Sequence, residues 1–209
     1  MKRMRVLFIM LLTINMLCTV ASASAKSIVL DGKFGDWGGM PALKDTMNDE
    51  KNDLDIQFIK WFPDNNTKTL FLNCERNQSA PDWQFEVQFK SDLGDRKAIV
   101  NNDSATGLTT VKLYDSSGSV VYSTSGNWQD SGKDPKQVEF SLPYEYLVGN
   151  MQWGYEMKMR FQSGTDYCPD SGFVTVSTIS TYPYPFLVIA LLLVLFLPFV
   201  IKKYRRKSA

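Results

Sequence analysis

From Trp83 to Lys90 the chain reads WQFEVQFK, an unbroken alternation with Trp83, Phe85, Val87 and Phe89 on one side and Gln84, Glu86, Gln88 and Lys90 on the other. A period of two is the strand period, and it collects the four apolar side chains on one face of a sheet. Helical periodicity is scarce elsewhere. Short alternating runs recur instead, among them LDIQFIKWF, TLFLNCE, RKAIVNND, TTVKLYD, GSVVYSTSG, QVEFSLPYEYL and WGYEMKMRFQS. Such a chain is expected to be all-β, a β-sandwich of jelly-roll-like kind with roughly eight or nine strands. PDNNTK is rich in turn formers, so the two runs that flank it should make a hairpin. SIVLDG reads as a short opening strand ending at Gly32. Pro143 lacks an N–H and should end its strand or hold it at an edge, with at most a helical turn near Tyr144 to Leu147. WGYEMKMRFQS reads as the last strand.

Both ends of the chain have a different character. Lys2, Arg3 and Arg5 precede an apolar stretch, and Ala23-Ser24-Ala25 has the small-x-small pattern that signal peptidase accepts. Residues 1–25 are therefore expected to be a secretory signal cleaved after Ala25. Leu17 before Cys18 does not fit a lipobox, which wants a small residue there. At the other end, Tyr182 to Ile201 contains no charge and is long enough for a bilayer core of about 30 Å. Lys202, Lys203, Arg205, Arg206 and Lys207 follow, and the positive-inside rule keeps them cytoplasmic. The expected organisation is an ectodomain over 26–165, a linker over 166–181, one transmembrane helix or sorting signal over 182–201 and a basic cytoplasmic tail over 202–209. The ectodomain would then lie outside the cell membrane, at the cell surface.

Three of the 23 Lys and Arg residues lie in the signal and five in the tail, which leaves 15 against 22 acids, a net charge of −7 on the exported part. Nucleic acid is excluded as a partner, because phosphate contacts need a basic face. The chain has no histidine. That excludes Ser-His-Asp and Cys-His catalysis and histidine-ligated zinc or haem. A glycosidase needs two facing carboxylates, and no local pattern marks a general acid. No catalytic residue is assigned, and the chain is expected not to be an enzyme. Cys74 and Cys168 are the cysteines left after signal cleavage. A bond between them would close a loop of about 95 residues, worth about 4–5 kcal/mol in a chain-entropy account. The equal alternative is two free thiols, with Cys74 a small buried hydrophobe sharing a strand face with Leu70 and Leu72.

Asp45, Asp49, Glu50, Asp53 and Asp55 fall within the run DTMNDEKNDLD. Hard cations take carboxylate oxygens, so Asp45, Asp49, Asp53 and Asp55 are candidate ligands for a structural calcium. The spacing is not that of an EF-hand, and a solvated acidic loop is the simpler alternative. Among the five tryptophans, Trp83 shares a face with three apolar residues and should be core. Trp128, in SGNWQDSGKDP, and then Trp61, at a strand end, are the candidate platforms for stacking on a ligand.

Two separated stretches share a resemblance. IVLDGKFGDWGGMPALKD, with Ile28 to Leu30, Asp31-Gly32, Asp36 and Trp37, resembles the opening of family 9 carbohydrate-binding modules and their DOMON-like relatives. VEFSLPYEYLVGNMQWGYEMKMRF, with Glu139, Leu142, Pro143, Leu147 and Trp153 to Phe161, resembles their close, and IKWFPDNNTKTLFLNCE their middle hairpin. The resemblance spans most of residues 28–161. It implies a β-sandwich that binds sugars through paired aromatic side chains and often carries structural calcium. The missing histidine disfavours the haem binding of DOMON domains. The tail resembles the Firmicu-CTERM sorting domain of small Gram-positive surface proteins, with TYPYPF at the outer edge of the span. That implies Tyr182, Pro183, Tyr184 and Pro185 as a motif for an exosortase-like processing enzyme; no LPxTG motif is present. Together these features lead us to expect an exported surface protein that binds envelope or extracellular polysaccharide. The alternative is a structural or assembly protein making protein contacts, and a polysaccharide hydrolase ranks last.

Overall fold

A computed structural model describes residues 27–51, 53–78, 82–103, 108–128, 136–149 and 155–178. Ala25, the span 182–201, the tail and Tyr182 to Pro185 lie outside these residues. Among the described residues no helix is long and apolar enough to cross a membrane.

The fold is all-β, as the alternation requires. The described residues form eleven strands: β1 (Ala42–Lys44), β2 (Ile56–Asp64), β3 (Thr69–Arg76), β4 (Trp83–Ser91), β5 (Gly94–Asp103), β6 (Leu108–Tyr114), β7 (Val120–Trp128), β8 (Gln137–Pro143), β9 (Tyr155–Ser163), β10 (Asp166–Cys168) and β11 (Val174–Thr178). All pairings are antiparallel, in the order β1-β2-β3-β8-β7-β6-β5-β4-β9-β10, with β11 also on β9. The expected β2–β3 hairpin forms across residues 65–68. In β4, Trp83, Phe85, Val87 and Phe89 are buried while Gln84 and Lys90 are exposed. These side chains meet Ile59, Leu70, Leu72, Phe140 and Phe161 in one core, with the rings of Phe85 and Phe161 stacked at 6.0 Å. Pro143 ends β8, and a single 3-10 turn over Tyr144–Tyr146 follows.

The two halves of the expected sandwich are joined by hydrogen bonds. β7 pairs along β6 and then passes its last residues, Asn127 and Trp128, to Glu139 and Val138 of β8. Gly126 sits at the transfer point. A Cβ there would come within 2.7 Å of the Glu139 carbonyl and 2.9 Å of Thr109 Cγ2, so only glycine lets the strands cross so closely. At the other margin, β10 and β11 come against β2, which nearly closes the sheet on itself. The architecture is a nearly closed antiparallel barrel.

Two expectations are corrected. SIVLDG is not a strand. It lies over β7 and β8, where Asn127 Nδ2 donates to the Leu30 carbonyl at 2.6 Å and Glu139 accepts from both Gly32 N–H and Trp37 Nε1, each at 2.8 Å. Trp37 and Glu139 have no exposed surface. Residues 166–178, expected as most of a linker, form β10 and β11 on β9 instead, so the domain continues past WGYEMKMRFQS. Strands of three and five residues with few apolar positions leave little periodic signal, and it is pairing to β9 that orders them.

Candidate metal centre

The seam between β2 and β10 is held by carboxylates where strand-to-strand bonds would otherwise run. Asp166, at the start of β10, accepts the Ile56 N–H of β2 on Oδ2 at 2.6 Å. Asp170, in the β10–β11 connection, accepts from Thr46 Oγ1 at 3.0 Å. The ladder between β2 and β3 shifts register between Ile56 and Phe58. Such an irregularity twists a strand locally and recurs beside sites. The β10–β11 connection is itself fixed, since Arg160 of β9 donates to the carbonyls of Pro169 and Asp170 at 3.2 and 2.8 Å.

Five aspartates converge at this seam. One carboxylate oxygen each of Asp45, Asp166 and Asp170 lies within 4.8 Å of the others, and the same holds for Asp49, Asp55 and Asp166. Asp45 follows β1, Asp49 belongs to the β1–β2 loop and Asp55 precedes β2. The loop is shaped by its own polar contacts. Asn48 takes the left-handed conformation at φ +68° and donates its N–H to Asp55 Oδ2 at 2.9 Å, and Asn77 Nδ2 donates to the same oxygen at 2.8 Å. Asn77 N–H holds the Asp55 carbonyl at 2.7 Å. Asp55 is therefore immobilised and wholly buried, yet its Oδ1 has no hydrogen-bond partner, nor does Asp45 Oδ2. Buried carboxylate oxygens normally find donors, because leaving one unmet costs about 1–3 kcal/mol or more.

Among the described residues none of the five pairs with a lysine or arginine. The result is strong mutual repulsion. Burial, then the charges of Asp166 and Asp170, push Asp45 up to about 8. Burial, offset in part by the Ile56 N–H and reinforced by Asp49 and Asp55, pushes Asp166 up to about 6. Asp49 at the rim is raised as well, by desolvation and by Asp170 and Asp55. Two ionised carboxylates cannot bond to each other. Shared protons or shared cations relieve the repulsion, and three carboxylate oxygens within 4.8 Å of one another can close on one ion at about 2.3–2.6 Å with a small side-chain adjustment.

Of the residues expected as ligands, Asp45, Asp49 and Asp55 meet. Asp53 does not join them; its carbonyl accepts from Arg76 Nη1 at 3.4 Å. Asp166 and Asp170 were hidden by the assignment of their segment to a linker. The one signal in their favour was a pair of acids four residues apart in TDYCPDSG, beside no basic residue. Trp61 packs half-buried at the rim of the core, and Trp128 ends β7 with its side chain outside the described residues. Cys74 and Cys168 are both free and fully buried, with burial raising both thiols. On the outer side of β2 and β3, opposite Ile59 and Leu72, Phe62 and Phe71 form a half-buried ring pair at 6.3 Å. An open depression of about 250 Å³ on β4 and β5 has mixed charge, and Glu86 and Lys97 pair across it at 3.3 Å.

No protein-family model matches the chain, and neither the curated proteins nor the solved structures provide a match.

Proposed function

We propose that this chain is an exported, non-catalytic surface protein whose β domain is a polysaccharide-binding module held together by a divalent cation of the calcium class. One observation carries the cation: carboxylates from both margins of the sheet, Asp55 and Asp166 among them buried, meet at its seam with no basic partner among the described residues, and Asp55 presents an oxygen that no described donor satisfies. Calcium fits that set because it takes six to eight hard oxygens at flexible angles, and sites of modest affinity suffice outside the cell.

The ligand class rests on the resemblance to family 9 carbohydrate-binding modules. Its two separated stretches supply residues that touch: Gly32 and Trp37 from the first, Glu139 from the second. Phe62 and Phe71 give a half-buried aromatic pair on the outer side of β2 and β3, with Lys60 on the same side of β2, a surface on which an apolar sugar face can lie. The signal at residues 1–25 and the span at 182–201 place the module outside the membrane, with Tyr182 to Pro185 as the motif for an exosortase-like enzyme.

The test is a glycan array probed with the full-length chain, in calcium and in chelator. Binding to envelope or extracellular polysaccharide that is lost in chelator, and weakened by Phe62→Ala or Trp128→Ala, is the expected result. No glycan bound in calcium would leave the structural-protein alternative. The mass of the mature protein from cells tests the tail: truncation near residues 180–185 means processing, whereas a mass ending at Ala209 means an anchor.

A further inference from the structure

We propose that the seam holds two cations side by side, with the Asp166 carboxylate shared between them, so that β10 is welded to β2 by a two-ion bridge. This rests on reading the cluster as a cation centre. The five carboxylates divide into two sets, Asp45 with Asp170 and Asp49 with Asp55, and Asp166 is the one member common to both. Each set contains its own buried oxygen without a donor, Asp45 Oδ2 in the first and Asp55 Oδ1 in the second. A single ion would complete one set and leave the other unmet.

Charge argues the same way. Five carboxylates around one divalent ion leave three negative charges at a buried seam, whereas two ions leave one. Asp166 is suited to the shared position. It is nearly fully buried, its Oδ2 is fixed by the Ile56 N–H, and it stands at the strand that closes the sheet. Asp170 reaches the first set from a turn that Arg160 anchors, and Asp49 reaches the second from the exposed rim. Each subsite thus combines one ligand from the rim or a turn with a rigid, buried one. Water and backbone carbonyls would complete each shell.

The number of ions bound decides the matter. The full-length chain is titrated with calcium chloride and its bound calcium counted by equilibrium dialysis and native mass spectrometry, with magnesium chloride as the comparison. Two calcium ions per chain are expected, with Asp45→Asn or Asp49→Asn each leaving one. Asp166→Asn is expected to weaken both at least tenfold. Asp53→Asn, a carboxylate of the same loop outside the cluster, is expected to leave both in place. The Asp49→Asn side chain lies at the exposed rim, so this variant keeps the test sound if Asp166→Asn does not fold. One calcium per chain, lost in Asp166→Asn, would overturn the two-ion bridge and leave the cation centre standing. No calcium bound at millimolar concentration would overturn both.

Discussion

Glu139 and Asp55 both have no exposed surface, yet their surroundings differ in kind. Glu139 gives one oxygen to the Gly32 N–H and the other to Trp37 Nε1, so the chain satisfies both from within itself, across more than a hundred residues of sequence. Burial still raises its pKa, and those two bonds oppose the rise. Asp55 has one oxygen held by Asn48 and Asn77 and the other without a hydrogen-bond partner among the described residues, and carboxylate oxygens of Asp49 and Asp166 lie within 4.8 Å of its own. The first is a latch that closes the N-terminal segment over β7 and β8. The second is the kind of carboxylate that the proposed cation would satisfy. Burial alone therefore does not single out Asp55 as a candidate ligand; the missing donor does.

The sharpest way to break the comparison is to remove each carboxylate. Glu139→Ala strands two buried donors and opens a cavity, so it is expected to cost about 3–5 kcal/mol, equally with and without calcium. Urea unfolding in both conditions measures this, and a loss that calcium repairs would erase the distinction. At the seam the effect is conditional. Calcium at about 100 times its dissociation constant is expected to add about 2.7 kcal/mol per independent site, and Asp55→Asn should remove that gain while leaving the chelated protein as stable as before or more so. Trp37→Phe keeps the ring but loses one bond to a charged acceptor. A loss of about 1.5–3 kcal/mol, again indifferent to calcium, is expected in the same urea titration.

The pH dependence sharpens the same contrast. Without calcium, Asp45 and Asp166 keep their protons in the folded chain up to about 8 and about 6, from the usual 3.8. In that interval the folded state binds more protons than the unfolded one. The contribution of these groups is therefore fully present below about pH 4 and is lost as pH rises towards 8. Melting temperature in chelator is expected to fall over that range beyond the trend of the Asp45→Asn variant, and calcium is expected to remove the difference. Asp53→Asn should be the quietest change, within about 0.5 kcal/mol in either condition.

The latch was partly legible. The Asp-Gly-x4-Trp opening and the Val-Glu-Phe-Ser-Leu-Pro strand stood out as framework, although nothing local showed that Glu139 would face Trp37. For the candidate metal centre, the run from Asp45 to Asp55 is visible as a set of hard oxygens, and Asp53 is indistinguishable from its neighbours because a run of acids does not state which carboxylates turn the same way. Asp166 opens a three-residue strand and Asp170 lies in the turn after it, both too short to carry a period. By sequence their segment reads as a linker, although β9 pairs with it on both sides of the turn.

Alternation by itself determined that this chain would be built of strands with Phe85, Val87 and Phe89 inward, because side-chain direction along a strand follows from backbone geometry alone. Composition by itself removed histidine chemistry and set the acidic balance of residues 26–181. Only the tertiary structure decided where the sheet ends meet. Closing the sheet at β2 and β10 depends on the accumulated twist and register of every strand between them, and that closure brings Asp45, Asp49 and Asp55 against Asp166 and Asp170.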